Sequence, residues 1–176
     1  MEPLIVILIL AILIIAIVLI VGYNQRVTNT TVKTSFCLSV SGLPDANCTP
    51  GAIDTTVTQD NIQSTICVSG YTSTVRPSIS YTNKLKAQQI IDYGYTDTNM
   101  SNYEEDHLIS LELGGSPQDP KNLWPEPYSI PNGARVKDRL ENLLHVMVCN
   151  GSITLTEAQQ EIATNWYLYY NSYGLG

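Results

Sequence analysis

An unbroken run of 18 aliphatic residues, Leu4 to Val21, opens the chain and ends at Gly22. A helix that is apolar on every side over that length does not belong on the surface of a small domain, so it is read apart from the rest of the chain. At 1.5 Å per residue the run covers roughly 27 Å, close to the hydrocarbon thickness of a bilayer. Met1-Glu2-Pro3 supplies no basic n-region, and Ile20-Val21-Gly22 is a poor cleavage site. The expectation is therefore a transmembrane anchor or uncleaved signal over residues 1–22; cleavage would instead give a secreted protein. The remaining 154 of the 176 residues suffice for one domain with its own core.

All four cysteines, Cys37, Cys48, Cys67 and Cys149, lie beyond that run. Their spacings contain no C-x-x-C pair, which argues against a zinc site and for two disulfides in an oxidising compartment. Three pairings are open. Sequons at Asn29, Asn47, Asn99 and Asn150 fit a glycoprotein facing the same way. Arg26 and Lys33, the only cations near the helix, pull the other way under the positive-inside rule. The cysteines weigh more, so the expectation is a single-pass membrane protein with its C-terminal domain extracellular or lumenal. A net charge of −7 excludes a surface that traps nucleic acid everywhere, but leaves room for a local basic strip.

Residues 23–47 read as a polar stalk rich in Thr, Ser and Asn, and the folded domain is expected over 48–176. Thr82 is a candidate cap for a short helix from Asn83 to about Asp92. From Ala134 to Cys149 the period is helical, with Val136, Leu140, Leu143 and Met147 as the core stripe. Thr156-x-x-Gln159 has capping-box spacing and announces another helix, with Ala158, Ile162, Trp166 and Tyr170 on one face. Glu105–Leu113 and Asn122–Trp124 read as extended segments around the Gly114-Gly115-Ser116-Pro117 turn cluster. The order strand, turn, strand, loop, helix makes a ββα unit.

On that unit sit Glu104-Glu105-Asp106-His107, Leu111-Glu112-Leu113-Gly114-Gly115 and Asn122-Leu123-Trp124-Pro125-Glu126-Pro127. An Asp-His pair at a strand end, a Gly-Gly turn and a later Asn resemble the HNH, or His-Me finger, nuclease pattern. With Cys48-Thr49-Pro50-Gly51, Val75-Arg76-Pro77 and Lys137-Asp138-x-x-Glu141-Asn142, the chain resembles a largely uncharacterised family of secreted bacterial proteins over about residues 43–170. The resemblance implies an α+β fold: a C-terminal ββα-metal (His-Me finger) unit with flanking helices, here preceded by one N-terminal transmembrane helix.

The chemistry so implied is metal-dependent hydrolysis of phosphodiesters in DNA or RNA. His107 is the expected general base, because an imidazole near its ordinary pKa takes a proton at neutral pH. Asn122 is expected to fix the loop or the ring by hydrogen bonding. Asp106 is the expected metal ligand on the strand, its hard oxygen suited to Mg²⁺, with Mn²⁺ or Zn²⁺ as alternatives. On the helix, Asp138, Asn142 and His145 share a face; Asn142 ranks first as ligand, His145 second and Glu141 third. Arg135, Lys137 and Arg139 form a basic strip suited to the substrate's phosphates. The competing expectation is a non-catalytic exported binding or envelope-surface module that keeps the ββα scaffold. The two are separated by whether Asp106, His107 and one of the helix candidates converge on a single cleft.

Overall fold

The computed structural model describes residues 12–20 and 37–176, and the chain divides into two units, Met1–Ser35 and Phe36–Gly176. In the first, the described residues 12–20 are helical. Among the described residues no helix is long and apolar enough to cross a membrane. The expected transmembrane helix and the single-pass membrane localisation are corrected on that finding. Residues 1–11 and 21–22 of the aliphatic segment, residues 23–36 of the expected stalk and the sequon at Asn29 lie outside the described residues.

The second unit runs through helices α1 (Tyr71–Val75) and α2 (Ile79–Asp92), strands β1 (Tyr103–His107) and β2 (Leu123–Pro127), and helices α3 (Ala134–Cys149) and α4 (Leu155–Ser172). Short 3-10 turns occupy Gln59–Ser64, Met100–Asn102 and Leu111–Leu113. The strands pair antiparallel from Tyr103 opposite Pro127 to His107 opposite Leu123. Two prolines in β2 are tolerated because every strand of a two-stranded sheet is an edge.

The architecture is thus α+β, helices around a two-stranded antiparallel sheet, and the expected ββα-metal unit behind a membrane helix is not what it shows. Beyond His107 the chain does not continue as a strand to Leu113; it turns into a loop that sends Leu108, Ile109 and Leu113 into the core. Helix α3 aims Lys137, and neither Asn142 nor His145, at the end of β1.

The core is built where helical period and apolar residues coincide. Ala158, Ile162, Trp166 and Tyr170 of α4 are all buried, as their spacing predicts. They pack in one cluster with Leu140, Leu144 and Val148 of α3 and with the loop residues Leu108, Ile109 and Leu113. Each fully buried aliphatic side chain of this kind contributes about 1.5–3 kcal/mol. The buried stripe of α3 is Lys137, Leu140, Leu144 and Val148, displaced from the expected Val136, Leu140, Leu143 and Met147, of which only Leu140 is buried.

Two helix starts also differ from expectation. Ser78 caps α2, its side chain accepting from the Tyr81 N–H, and the capping box of α4 is Thr154 with Glu157.

All four cysteines are paired, Cys37 with Cys48 and Cys67 with Cys149. Residues 37–47, expected as the end of a stalk, belong to the second unit: the Cys37 N–H donates to the Asp92 carbonyl at 2.8 Å, and Trp166 Nε1 donates to the Gly42 carbonyl at 3.0 Å. Asn47, Asn99 and Asn150 are exposed.

Candidate functional site

Strand β1 delivers four consecutive polar residues, Glu104 to His107, to a cleft of about 160 Å³. Thr72 and Arg76 enter it from α1 and its C-terminal cap, Ser110, Leu111 and Glu112 from the loop, and Asp138 and Glu141 from α3. Of the groups expected to converge, Asp106, His107 and Glu141 do line one cleft. Asn142 does not line it. It is exposed, and its amide donates to the Asp138 carbonyl at 2.6 Å.

Asn122 makes the loop that shapes this cleft. It is fully buried. Its Oδ1 accepts from the Ile109 N–H at 2.9 Å, and its Nδ2 donates to the carbonyls of Ile109 at 2.9 Å and Ser116 at 3.1 Å. The Leu108 N–H donates to the Asn122 carbonyl at 2.8 Å. Asn122 therefore holds the loop, not the imidazole. The fold is close enough here that a Cβ on Gly115 would stand 1.7 Å from the Ile109 carbonyl oxygen, so no other residue fits.

His107 is only 6% exposed. Its Nε2 lies 3.0 Å from the Pro117 carbonyl. A carbonyl only accepts, so in the neutral ring Nε2 carries the proton and Nδ1 keeps its lone pair. Burial pushes His107 below its ordinary 6.5, against the opposing pulls of the Pro117 hydrogen bond and Asp106, so the ring is neutral at pH 7.

Lys137, expected on the surface, is instead wholly buried. Its ammonium lies 2.9 Å from Asp106 Oδ2, pairs with Glu141 one helical turn away, and donates to the His107 carbonyl at 2.8 Å. Burial alone would lower its pKa; Asp106, Glu141 and Glu126 more than reverse this and hold it above the ordinary lysine value. The rest of the expected basic strip is engaged with aromatic rings. Arg135 lies over Tyr128 at 5.7 Å, and Arg139 lies over Tyr170 at 5.3 Å while donating to its hydroxyl at 2.5 Å.

The carboxylates around Lys137 outnumber it. Burial pushes Glu105 up to about 8, with Lys86 opposing, and pushes Glu141 up to about 8, with Lys137 opposing. Glu104, Glu112 and Asp138 are raised by burial as well. Glu126, fully buried behind them, is raised well above the carboxylate range by burial and then by Asp106. Both oxygens of Glu105 and of Glu126 are enclosed without a hydrogen-bond partner. Such a surplus of desolvated carboxyl groups sets the electrostatics of the cleft.

His145 lies elsewhere, in a second depression with Ile66, Cys67 and Glu112. Its Nε2 is 2.9 Å from the Ile66 carbonyl and its Nδ1 3.6 Å from Glu112 Oε2. Cys67, His145 and Cys149 offer ligand atoms within 4.8 Å of one another, a group that could hold a metal ion. The two sulfurs are joined in a disulfide here, so ligation through both as thiolates requires reduction.

Sequence reasoning does not single out Arg76. It is exposed, lines the cleft beside His107, and forms no ion pair among the described residues. Its one signal is position: an arginine directly before Pro77, where the rigid ring ends α1 and fixes the residue in an extended conformation. No family model, curated protein or solved structure matches this chain.

Proposed function

We propose that the second unit is a metal-dependent phosphodiesterase acting on nucleic acid, with His107 as the general base. The observation that carries this reading is the ring of His107, buried at the wall of a cleft lined with carboxyl groups and held through Nε2 by the Pro117 carbonyl, which leaves Nδ1 as the nitrogen able to take a proton. Nδ1 takes the proton of an attacking water, whose oxygen bonds to phosphorus as the ester oxygen leaves. Asp106, adjacent in the strand, favours the imidazolium formed at that moment. Arg76 is the cleft residue suited to hold the phosphate, by paired donation from its guanidinium.

The oxygen ligands for a divalent cation are the cleft carboxylates, Asp106 with Glu104, Glu105, Asp138 and Glu141, and Mg²⁺ or Mn²⁺ fits them better than Zn²⁺. When bound, the cation supplies charge to the phosphate and to the leaving oxygen, and it offsets the repulsion between an acidic cleft and a polyanion. Asn142 and His145 have no part in this set. The two disulfides suit work in an oxidising compartment.

The test is incubation of the full chain with plasmid DNA and with RNA, in Mg²⁺ or Mn²⁺ and then in EDTA. Metal-dependent cleavage is expected, falling by at least ~10² in His107→Ala, while Asn142→Ala and His145→Ala cut at the wild-type rate. Cleavage by His107→Ala as fast as by wild type would refute the reading. One observation favours a non-catalytic binding module instead: the Lys137 ammonium already sits between Asp106 and Glu141. Nucleic acid bound but uncut in every metal would decide for that module.

A further inference from the structure

We propose that Lys137 is the positioning residue of the cleft, holding the end of β1 so that the His107 ring keeps its hydrogen bond to Pro117. This deepens the reading of His107 as the base and rests on it for its catalytic meaning. The geometric claim stands by itself.

The peptide unit joining His107 to Leu108 is gripped on both sides. Lys137 Nζ donates to its carbonyl at 2.8 Å, and the Asn122 carbonyl accepts from its N–H at 2.8 Å. The strand pairing ends at His107, opposite Leu123, and the Leu108 N–H bond to Asn122 continues its register for one more rung. Lys137 holds the carbonyl side of that peptide. The same ammonium pairs with Asp106, one residue earlier, so two successive residues of the strand end are tied to one point on α3. Its partnership with Glu141 on the next turn of α3 holds the lysine itself in place. Lys137 is completely enclosed, so it reaches no substrate and acts only through the backbone it holds. A lysine spends rotamer freedom and desolvation to be buried; two partners at the strand end, Asp106 and the His107 carbonyl, with Glu141 on its own helix, account for its presence.

The chain contains two histidines, so ¹⁵N-histidine spectra of the full chain resolve the rings, with a His145→Gln variant making the assignment. In wild type the His107 ring is expected as the Nε2–H tautomer with a slowly exchanging Nε2 proton. In Lys137→Gln/Glu141→Gln, which removes the cation together with one of its partners, that proton is expected to exchange about tenfold faster or more, the worth of one hydrogen bond. Cooperative urea unfolding checks that the variant is folded. Lys137→Arg keeps the charge but not the compact donor, and the same acceleration is expected there; it decides the matter if the double variant does not fold.

A purely structural lysine would lower the unfolding midpoint and leave the native-state exchange of this one proton as in wild type. That result in a folded variant would overturn the proposal. Once wild-type cleavage is in hand, Lys137→Arg should lower kcat and leave KM unchanged. An inactive wild type with the exchange result as expected would count against the nuclease reading alone, and Lys137 would keep its role.

Discussion

Glu105 offers the sharpest test of the cleft's electrostatics. Both its oxygens are enclosed without a partner, and burial lifts it from the ordinary 4.5 to about 8. Between those two values the folded protein keeps a proton that the unfolded chain has released. Stability is therefore full below about pH 4.5 and falls as pH rises, levelling off above about 8. At ~1.4 kcal/mol per pH unit the full interval amounts to ~5 kcal/mol, and residual solvent contact reduces it to roughly 2–3 kcal/mol.

Glu105→Gln keeps the shape and cannot ionise. In EDTA, with disulfides intact, urea unfolding should give variant and wild type the same stability near pH 5. Near pH 9 the variant should be more stable by roughly 2–3 kcal/mol, with the m-value unchanged. Mg²⁺ should narrow that gap, because a cation binding the ionised carboxylates stabilises the folded wild type. Equal stabilities at both pH values would show that Glu105 is solvated and ionised throughout, and the argument for a desolvated cleft would fail.

The loop and the bridges give two further outcomes. Asn122→Ala strands the Ile109 N–H and two carbonyls inside the core, and should cost roughly 2–4 kcal/mol in urea unfolding; a loss under ~1 kcal/mol would mean that water replaces the amide. Removing Cys67–Cys149, which spans 82 residues, should cost ~4.5 kcal/mol, against ~3 kcal/mol for Cys37–Cys48, which spans 11. The reverse order would contradict the chain-entropy account.

How much of this fold the sequence reveals depends on whether a signal is periodic. Helix α4 is legible because Ala158, Ile162, Trp166 and Tyr170 are apolar and all turn inward. The extent of α3 is legible too, but its orientation is not. An apolar pattern cannot register a buried lysine, and Val136 draws the stripe away from Lys137. The residues after His107 look like strand because Leu108, Ile109, Leu111 and Leu113 are apolar. The Asn122 side chain instead captures the Ile109 backbone groups that a ladder would have used. The convergence of Asp106, His107 and Glu141 can be anticipated as a condition, whereas Arg76 is brought in by α1, and the carboxylate surplus by β1, the loop and α3 meeting at one cleft. Disulfide partners carry no local signature at all.

The charges packed around Lys137 also constrain how this protein can change over generations. Deleting the lysine from this buried cluster leaves its carboxylates uncompensated and costs ~3–5 kcal/mol, a large part of the ~5–15 kcal/mol that holds a typical domain together. Replacing the whole cluster by apolar residues of similar volume is often neutral or better. Lys137, Asp106, Glu141 and Glu126 thus stand on a peak whose neighbouring peak is reachable only by several coincident substitutions, with nearly unfolded sequences in the valley between. A lineage that once acquired this arrangement is entrenched in it, and descendants would keep the lysine long after any need for its chemistry had lapsed.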